Sequence, residues 1–284
     1  MSGIREDLLD IELPNELQQG IDVINWIDST VSIDSCTLQV EEFGFFLTWR
    51  AKDKSGQGHV LDFSNVTNIR TGVVPIDPIL LKISKFDQYI IDDSNEDQEP
   101  LKDRTLTFCS CPDDLVEVVY TNFIFPNAFS RDYWNDEITK LSLIGSRRNL
   151  SPYAALVKSW KKLLLSSVID EKIPIKSISR TFCASSTVDK QVHRTAAELG
   201  ICPGKKADYI LAKDFTLDIF MQICNIMFPR KDIDVVFKSI TAGEEATISQ
   251  LVKFHNDQQR DPRLHAEKVP RYDKMQVNLS LIHI

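Results

Sequence analysis

From Gly20 to about Val119, short apolar and β-branched runs alternate with polar turns. Residues 23–26, 36–40, 45–49, 59–63, 68–70 and 105–108 are predicted strands. The third, Phe45 to Trp49, is bounded by Gly44 and by the polar turn of residues 52–56. Six or so short strands at hairpin spacing predict a sandwich or an open barrel. Residues 87–104 hold seven acids (Asp87, Asp92, Asp93, Glu96, Asp97, Glu99, Asp103) and Pro100, a composition that predicts a solvated loop. The period then changes. Between Asn127 and Leu143, the residues Phe129, Tyr133, Trp134, Ile138 and Leu141 are spaced to share one helix face.

Beyond Pro152 the apolar period is helical almost throughout. Tyr153, Leu156, Val157, Trp160, Leu163 and Leu164 form a first stripe, with Ser151 as N-cap and Pro152 as first helical residue. Ile175, Ile178 and Phe182 form a second; Val188, Val192, Ala196 and Leu199 a third, closed by Gly200 at the C′ position. Phe215, Ile219, Phe220, Ile223 and Met227 make a fourth, started by Asp214 and stopped by Pro229. Ile233, Val236, Phe237 and Ile240 make a fifth, and a sixth begins near Ser249 with Leu251 and Phe254. Single β-branched residues, Ile173, Ile210 and Ile248, mark the centres of the intervening loops. The change of period places a domain boundary at residues 145–149.

Composition narrows the classes. With 284 residues, 43% hydrophobic and 26% charged, the chain suits about two soluble globular domains. A net charge of −8 argues against nucleic-acid binding, which relies on clustered Lys and Arg. Residues 1–20 lack the basic start and unbroken apolar centre of a signal peptide, and residues 219–228, the longest greasy stretch, are too short to span a bilayer. The expected compartment is the cytosol. The six cysteines show no framework or zinc-knuckle spacing and read as reduced thiols, most of them small core residues.

Two segments are more specific than any of this. Gly44-Phe45-Phe46-Leu47-Thr48-Trp49-Arg50 lies on the third predicted strand, and Gln259-Arg260-Asp261-Pro262-Arg263-Leu264 follows the last helical stripe. With Lys172-Ile173-Pro174, Ser177-Ile178 and Arg180-Thr181-Phe182 between them, they resemble the N-terminal third of a phosphoinositide-specific phospholipase C of the β class, most closely its photoreceptor type. The resemblance covers roughly residues 13–276. It implies an α+β multidomain fold: a pleckstrin-homology β-barrel with a C-terminal helix, then all-α degenerate EF-hand units. The expected layout is an N-terminal tail at 1–12, the pleckstrin-homology domain at 13–146 and the truncated EF-hand-like region at 149–276. Residues 279–284 resemble the translation of a sequencing adapter, with a natural C-terminus as the alternative. Trp134 falls where that fold has its helix tryptophan; by the residues alone, a helix packed on another β-sandwich fits equally well. Trp134, Trp160, Ile173 and Ile248 are the expected structural residues, and Gln259 to Leu264 the family signature.

The resemblance implies a G-protein-activated lipase that converts phosphatidylinositol 4,5-bisphosphate to inositol trisphosphate and diacylglycerol with one catalytic calcium, on a TIM-type barrel absent from this chain. Its implied partners are a Gq-class α subunit and, through the pleckstrin domain, Gβγ or a Rac-type GTPase, with weak peripheral recruitment to the plasma membrane. The alternative is a free-standing adaptor or a catalytically dead relative. No catalytic residue is expected within the chain: the family's Ser-Ser-His-Asn-Thr-Tyr block does not occur, and His59, His193, His255, His265 and His283 sit in unrelated contexts, with surface positions expected for His193 and His255.

Nor do the loops look like calcium sites. With Ile173 at position eight of a calcium loop, the first liganding positions are Ser166, Val168 and Asp170, Glu171 stands where glycine belongs and Ser177 closes the loop. The same register gives Pro203, Lys205, Ala207 and a terminal Asp214 around Ile210. Around Ile248 it gives Thr241, Gly243, Glu245 and a terminal Val252. Too few carboxylates are placed to replace calcium's hydration shell. The stretch from Ile27 to Ser35, where headgroup-binding pleckstrin domains carry bases, holds two acids and no base; Arg50, Lys52 and Lys54 read as an ordinary hairpin tip.

Overall fold

The structure, a computed structural model, describes residues 12–27, 30, 32–52, 58–72, 84–92, 99–112, 118–148, 152–168, 170–203, 207–241 and 246–258. They fall into two compact units that divide between Asn149 and Leu150, with Leu164–Ile169 counted to the first.

The first unit opens with a short helix α1 (Asn15–Gln19), followed by strands β1 (Ile21–Ile27), β2 (Ser32–Val40), β3 (Phe46–Ala51), β4 (His59–Asp62) and β5 (Val66–Thr71). Helices α2 (Lys85–Ile91) and α3 (Leu101–Arg104) lead into β6 (Thr105–Ser110) and β7 (Val119–Ile124), and α4 (Ala128–Arg148) closes the unit. One antiparallel sheet runs β4-β3-β2-β1-β7-β6-β5. Its inner face packs Val23, Leu38, Leu47, Leu106, Phe108 and Phe123 against Trp134, Ile138 and Leu141 of α4. Trp134 is 2% exposed, its ring 6.0 Å from that of Phe125.

The aromatic segment on β3 owes its geometry to a turn. The Glu41 carboxylate accepts from the amides of Phe43 (2.8 Å) and Phe45 (2.5 Å), and Gly44 N donates to Glu41 O (2.9 Å). Gly44 adopts φ +66°, and a Cβ there would meet Leu13 Cδ2 at 3.3 Å and Leu141 Cδ2 at 3.4 Å. Only glycine serves both demands. The turn delivers Phe45, Phe46 and Leu47 to the interior, none more than 3% exposed.

Several expectations need correction. A seventh strand, β7, lies where none was predicted: Val119 and Tyr120 are exposed, while the polar Asn122 is buried between Phe123 and its neighbours, so no apolar alternation marks it. Asn122 is satisfied across the sheet, its O accepting from Asn25 Nδ2 at 3.1 Å and its Oδ1 from Thr107 Oγ1 at 2.9 Å. Residues 87–104 are not simply a solvated loop. Asp87 lies inside helix α2 and is 5% exposed; α2 buries Phe86 and Ile90 on the outer face of the sheet against Trp26 and Ile124. Phe129 is 84% exposed rather than on the apolar face of α4, because the helix begins at Ala128 and its first turn runs past the end of the core. The stretch from Ile27 to Ser35 is mostly strand: Ile27 pairs Ser32, and Trp26 pairs Ile33.

The second unit contains α5 (Pro152–Ser166), β8 (Lys172–Pro174), α6 (Ile175–Phe182), α7 (Ser186–Glu198), β9 (Tyr209–Leu211), α8 (Leu217–Met227), α9 (Lys231–Ile240) and α10 (Ile248–Asp257). Ser151 lies outside the described residues. Gly200, at φ +71°, ends α7 as expected: Ile201 N donates to Ala196 O and Gly200 N to Ala197 O, both at 3.1 Å. Helix α8 starts not from Asp214 but from Thr216, whose side chain accepts from Ile219 N, while Phe215 before it packs edge-on against Phe220. A threonine one residue before the helix can reach the third amide; an aspartate three residues before cannot.

The fifth stripe fails differently. Helix α9 forms, but none of its residues is buried: Ile233 is 50% and Val236 44% exposed. The right period produced the helix, but its apolar face is only partly covered among the described residues, with Phe237 and Ile240 half-buried and Ile233 and Val236 exposed. The cysteines also divide evenly. Cys36, Cys109 and Cys224 are buried, Cys111 and Cys183 exposed, Cys202 intermediate, all free thiols.

Candidate functional site

The helical unit is organised around one short ladder. Strands β8 and β9 pair antiparallel with Ile173 opposite Ile210, both fully buried. Ala212 N donates to Glu171 O and Ile175 N to Asp208 O, each at 2.8 Å, so the bridge is flanked by bonds on either side. Trp160 supports it from α5, its Nε1 donating to Phe215 O at 2.9 Å. Two helix pairs joined through a three-residue ladder make the geometry of paired EF-hand loops.

The loop preceding β8 keeps the backbone of a calcium loop without its chemistry. Asp170 (φ +48°) and Glu171 (φ +61°) both occupy the left-handed region, where a calcium loop uses glycine for its sharp turn. Both are exposed, and Ser166 and Val168 supply no carboxylate. In the second loop, Pro203, Ala207 and Asp214 are described and bring none but Asp214; Lys205 lies outside the described residues. In the third, Thr241 is buried and Val252 lies within α10, while Gly243 and Glu245 lie outside the described residues. Among the described residues no three His, Cys, Asp or Glu side chains gather as a metal would require.

Ile248 departs from the expectation. It is the first residue of α10, 38% exposed, not a bridging strand residue. Thr247 and Gln250 form a capping box there, and among the described residues no partner strand competes with that local cap.

The headgroup face of the sheet is likewise poor in free cations. Lys52 Nζ lies 2.6 Å from Asp22 Oδ2, and Thr37 donates to Asp22 Oδ1 at 2.9 Å. The Lys52 ammonium, and then Thr37, hold the Asp22 carboxyl below its ordinary value, so it stays charged and keeps Lys52 engaged. Arg50 is exposed beside it and Lys54 lies outside the described residues. An open cleft of about 530 Å³ runs along this face, walled by residues including Thr37, Gln39, Thr48, Trp49, Arg50 and His59. Trp49 and His59 stack at 5.2 Å. The cleft is about equally polar and apolar, and Arg50 and Lys52 are the bases that line it.

His193 is half-buried rather than a surface residue, its Nε2 3.1 Å from Ala207 O, where it ties α7 to the segment before β9. His59 stacks on Trp49 and His193 meets a backbone carbonyl, while His255, also expected at the surface, is half-buried on α10 because it packs edge-on beside Phe254. His265, His283 and the segment Gln259 to Leu264 lie outside the described residues.

Among the described residues no catalytic constellation decides the matter; the sequence of modules does. Residues 12–148 match the family described as a PH domain, and residues 156–227 match the phosphoinositide phospholipase C beta1-4-like EF-hand domain. The human 1-phosphatidylinositol 4,5-bisphosphate phosphodiesterase beta-4 is 34% identical over 265 residues, 92% of this chain. The chain belongs to the β-class phosphoinositide phospholipase C family. A Drosophila melanogaster 1-phosphatidylinositol 4,5-bisphosphate phosphodiesterase is 31% identical over 273 residues. This β-class chain spans 22% of the human relative's length and 24% of the fly relative's. Crystal structures of PLC21 from S. officinalis and L. pealei superpose with a TM-score of 0.63 at 23% identity, covering 94% of this chain and 33% of theirs, which carries the fold.

The site search by sequence missed one constellation. Asp87 and Arg70 approach at 3.6 Å on the outer face of the sheet. Ser84-x-x-Asp87 ahead of an apolar run is a helix-start signal that could have revealed the helix carrying Asp87.

Proposed function

We propose that this chain is the regulatory scaffold of a G-protein-activated phospholipase C whose catalytic barrel is encoded beyond it. The whole protein would hydrolyse phosphatidylinositol 4,5-bisphosphate to inositol trisphosphate and diacylglycerol, with its catalytic calcium held in the barrel. The observation that carries this reading is the pairing, in one chain, of a PH module with β-class EF-hand units whose loops carry too few carboxylates at the liganding positions to hold calcium. Such hands brace neighbouring domains; they do not sense calcium.

The whole enzyme answers to a Gq-class α subunit in this reading, and the pleckstrin unit meets Gβγ or a Rac-type GTPase. Lys52, held by Asp22, and the absence of bases between Ile27 and Ser35 support a protein-facing role over headgroup recognition. No described helix is long and apolar enough to cross a membrane, in keeping with peripheral recruitment. Extending the transcript tests the reading: a Ser-Ser-His-Asn-Thr-Tyr block about 50 to 70 residues past Gln276 is expected. A stop codon in its place supports the adaptor instead. The 284-residue chain itself is expected to release no inositol trisphosphate and to bind calcium more weakly than about millimolar by calorimetry.

A further inference from the structure

Helix α2 is joined to the sheet by contacts that the barrel core does not share. Phe86 and Ile90 meet Trp26 and Ile124 on the outer face, with Leu101 beside them, and Tyr89 stacks on Trp26 at 4.6 Å. None of these residues belongs to the inner cluster of Leu38, Phe108, Phe123 and Trp134. Undocking α2 therefore leaves that core in place. At seven residues the helix is too short to persist alone, so it is helical only while docked.

Its polar anchor is a charge pair. Asp87 takes a bond from Ser84 Oγ at 2.8 Å and faces the Arg70 guanidinium at 3.6 Å; the two side chains are 7% and 19% exposed. Arg70 also lies 5.3 Å from the Tyr120 ring centroid. Yet Asp87 Oδ1 and Arg70 Nε are buried and find no hydrogen-bond partner among the described residues. A buried pair with unfilled donors and acceptors holds less firmly than apolar side chains of the same volume.

We propose that α2 is a releasable strap, latched by Arg70 and Asp87, which uncovers the outer-face strip of Trp26 and Ile124 while the barrel stays folded. Ile24 and Ile33, 36% and 50% exposed, already border that strip, so release enlarges an apolar surface already present. Local opening of this kind lies at the low end of a protein's stability scale, well below global unfolding.

Hydrogen exchange followed by mass spectrometry on the 284-residue chain tests it. Amides of α2 should exchange at least about a hundredfold faster than those of β6. Asp87→Asn should speed α2 by a further tenfold or so, leave β6 unchanged and raise the fluorescence of added anilinonaphthalene sulfonate. The double variant Arg70→Met with Asp87→Leu should slow α2 below wild type. Equal protection of α2 and β6 in the wild-type chain overturns the strap, whether or not Asp87→Asn folds. Faster α2 exchange in the double variant overturns the latch.

Discussion

Glu41 and Gly44 show how one residue can impose a segment's character on its surroundings. The carboxylate gathers two amides into a turn, glycine accepts the positive φ, and three large side chains enter the core together. Glu171 is the opposite case, holding a glycine conformation without being glycine. Glu171→Gly should relieve that strain and raise stability by about 0.5–1 kcal/mol, less what the freer unfolded chain recovers, as read from urea melts. The thiols carry a second residue-scale prediction. Burial, with Asp34 adding to it, pushes Cys36 from 9.0 up to about 12, and burial pushes Cys224 to about 11. Above about pH 9 the unfolded thiols ionise while the folded ones keep their protons, so the unfolded state binds fewer protons and stability must fall as pH rises. Melting temperatures from pH 8 to 11 should show that decline, lessened in Cys36→Ala after allowance for its own cavity. At pH 8 a thiol reagent should label Cys111 and Cys183 quickly and Cys36 only on unfolding.

Helices and strands here succeed or fail by what covers them. Helix α4 closes the barrel through Trp134, Ile138 and Leu141. Trp134→Ala should cost about 3–5 kcal/mol and unfold the first unit, whereas Trp160→Ala should mainly loosen the second. An unchanged melting curve for Trp134→Ala would mean that the ring carries no core packing. Strands β8 and β9 persist at three residues each because Ile173 and Ile210 bury one another's faces among the surrounding helices. Ile248 has the same side chain but no strand partner among the described residues, and it joins a helix. Helix α9 has its full apolar stripe and buries none of it among the described residues.

At the scale of the molecule, a chain with a net charge of −8 should meet anionic membranes weakly. Vesicle sedimentation with and without a few per cent phosphatidylinositol 4,5-bisphosphate should show little binding and no lipid-specific shift. A shift abolished by changing Arg50, Lys52 and Lys54 to Ala would instead make the hairpin tip a headgroup site.

The sequence by itself determined most of the strands, the helical period and the two-module order, because alternation, caps and glycines act over a few residues. The motifs on β3, around Ile173 and at Gln259 to Leu264 led to the expectation of a PH barrel followed by EF-hand units, and the family matches over residues 12–148 and 156–227 bear that order out. The sequence also showed loops short of carboxylates, since ligand spacing is local. Only the tertiary structure decided what crosses the chain. Strand β7 is hidden because its polar Asn122 is satisfied by Asn25 and Thr107, far away in sequence. Asp87, one acid among seven in its stretch, is singled out because the sheet brings Arg70 beside it and covers Phe86 and Ile90. Burial depends on what arrives from elsewhere in the chain, and no local pattern encodes that.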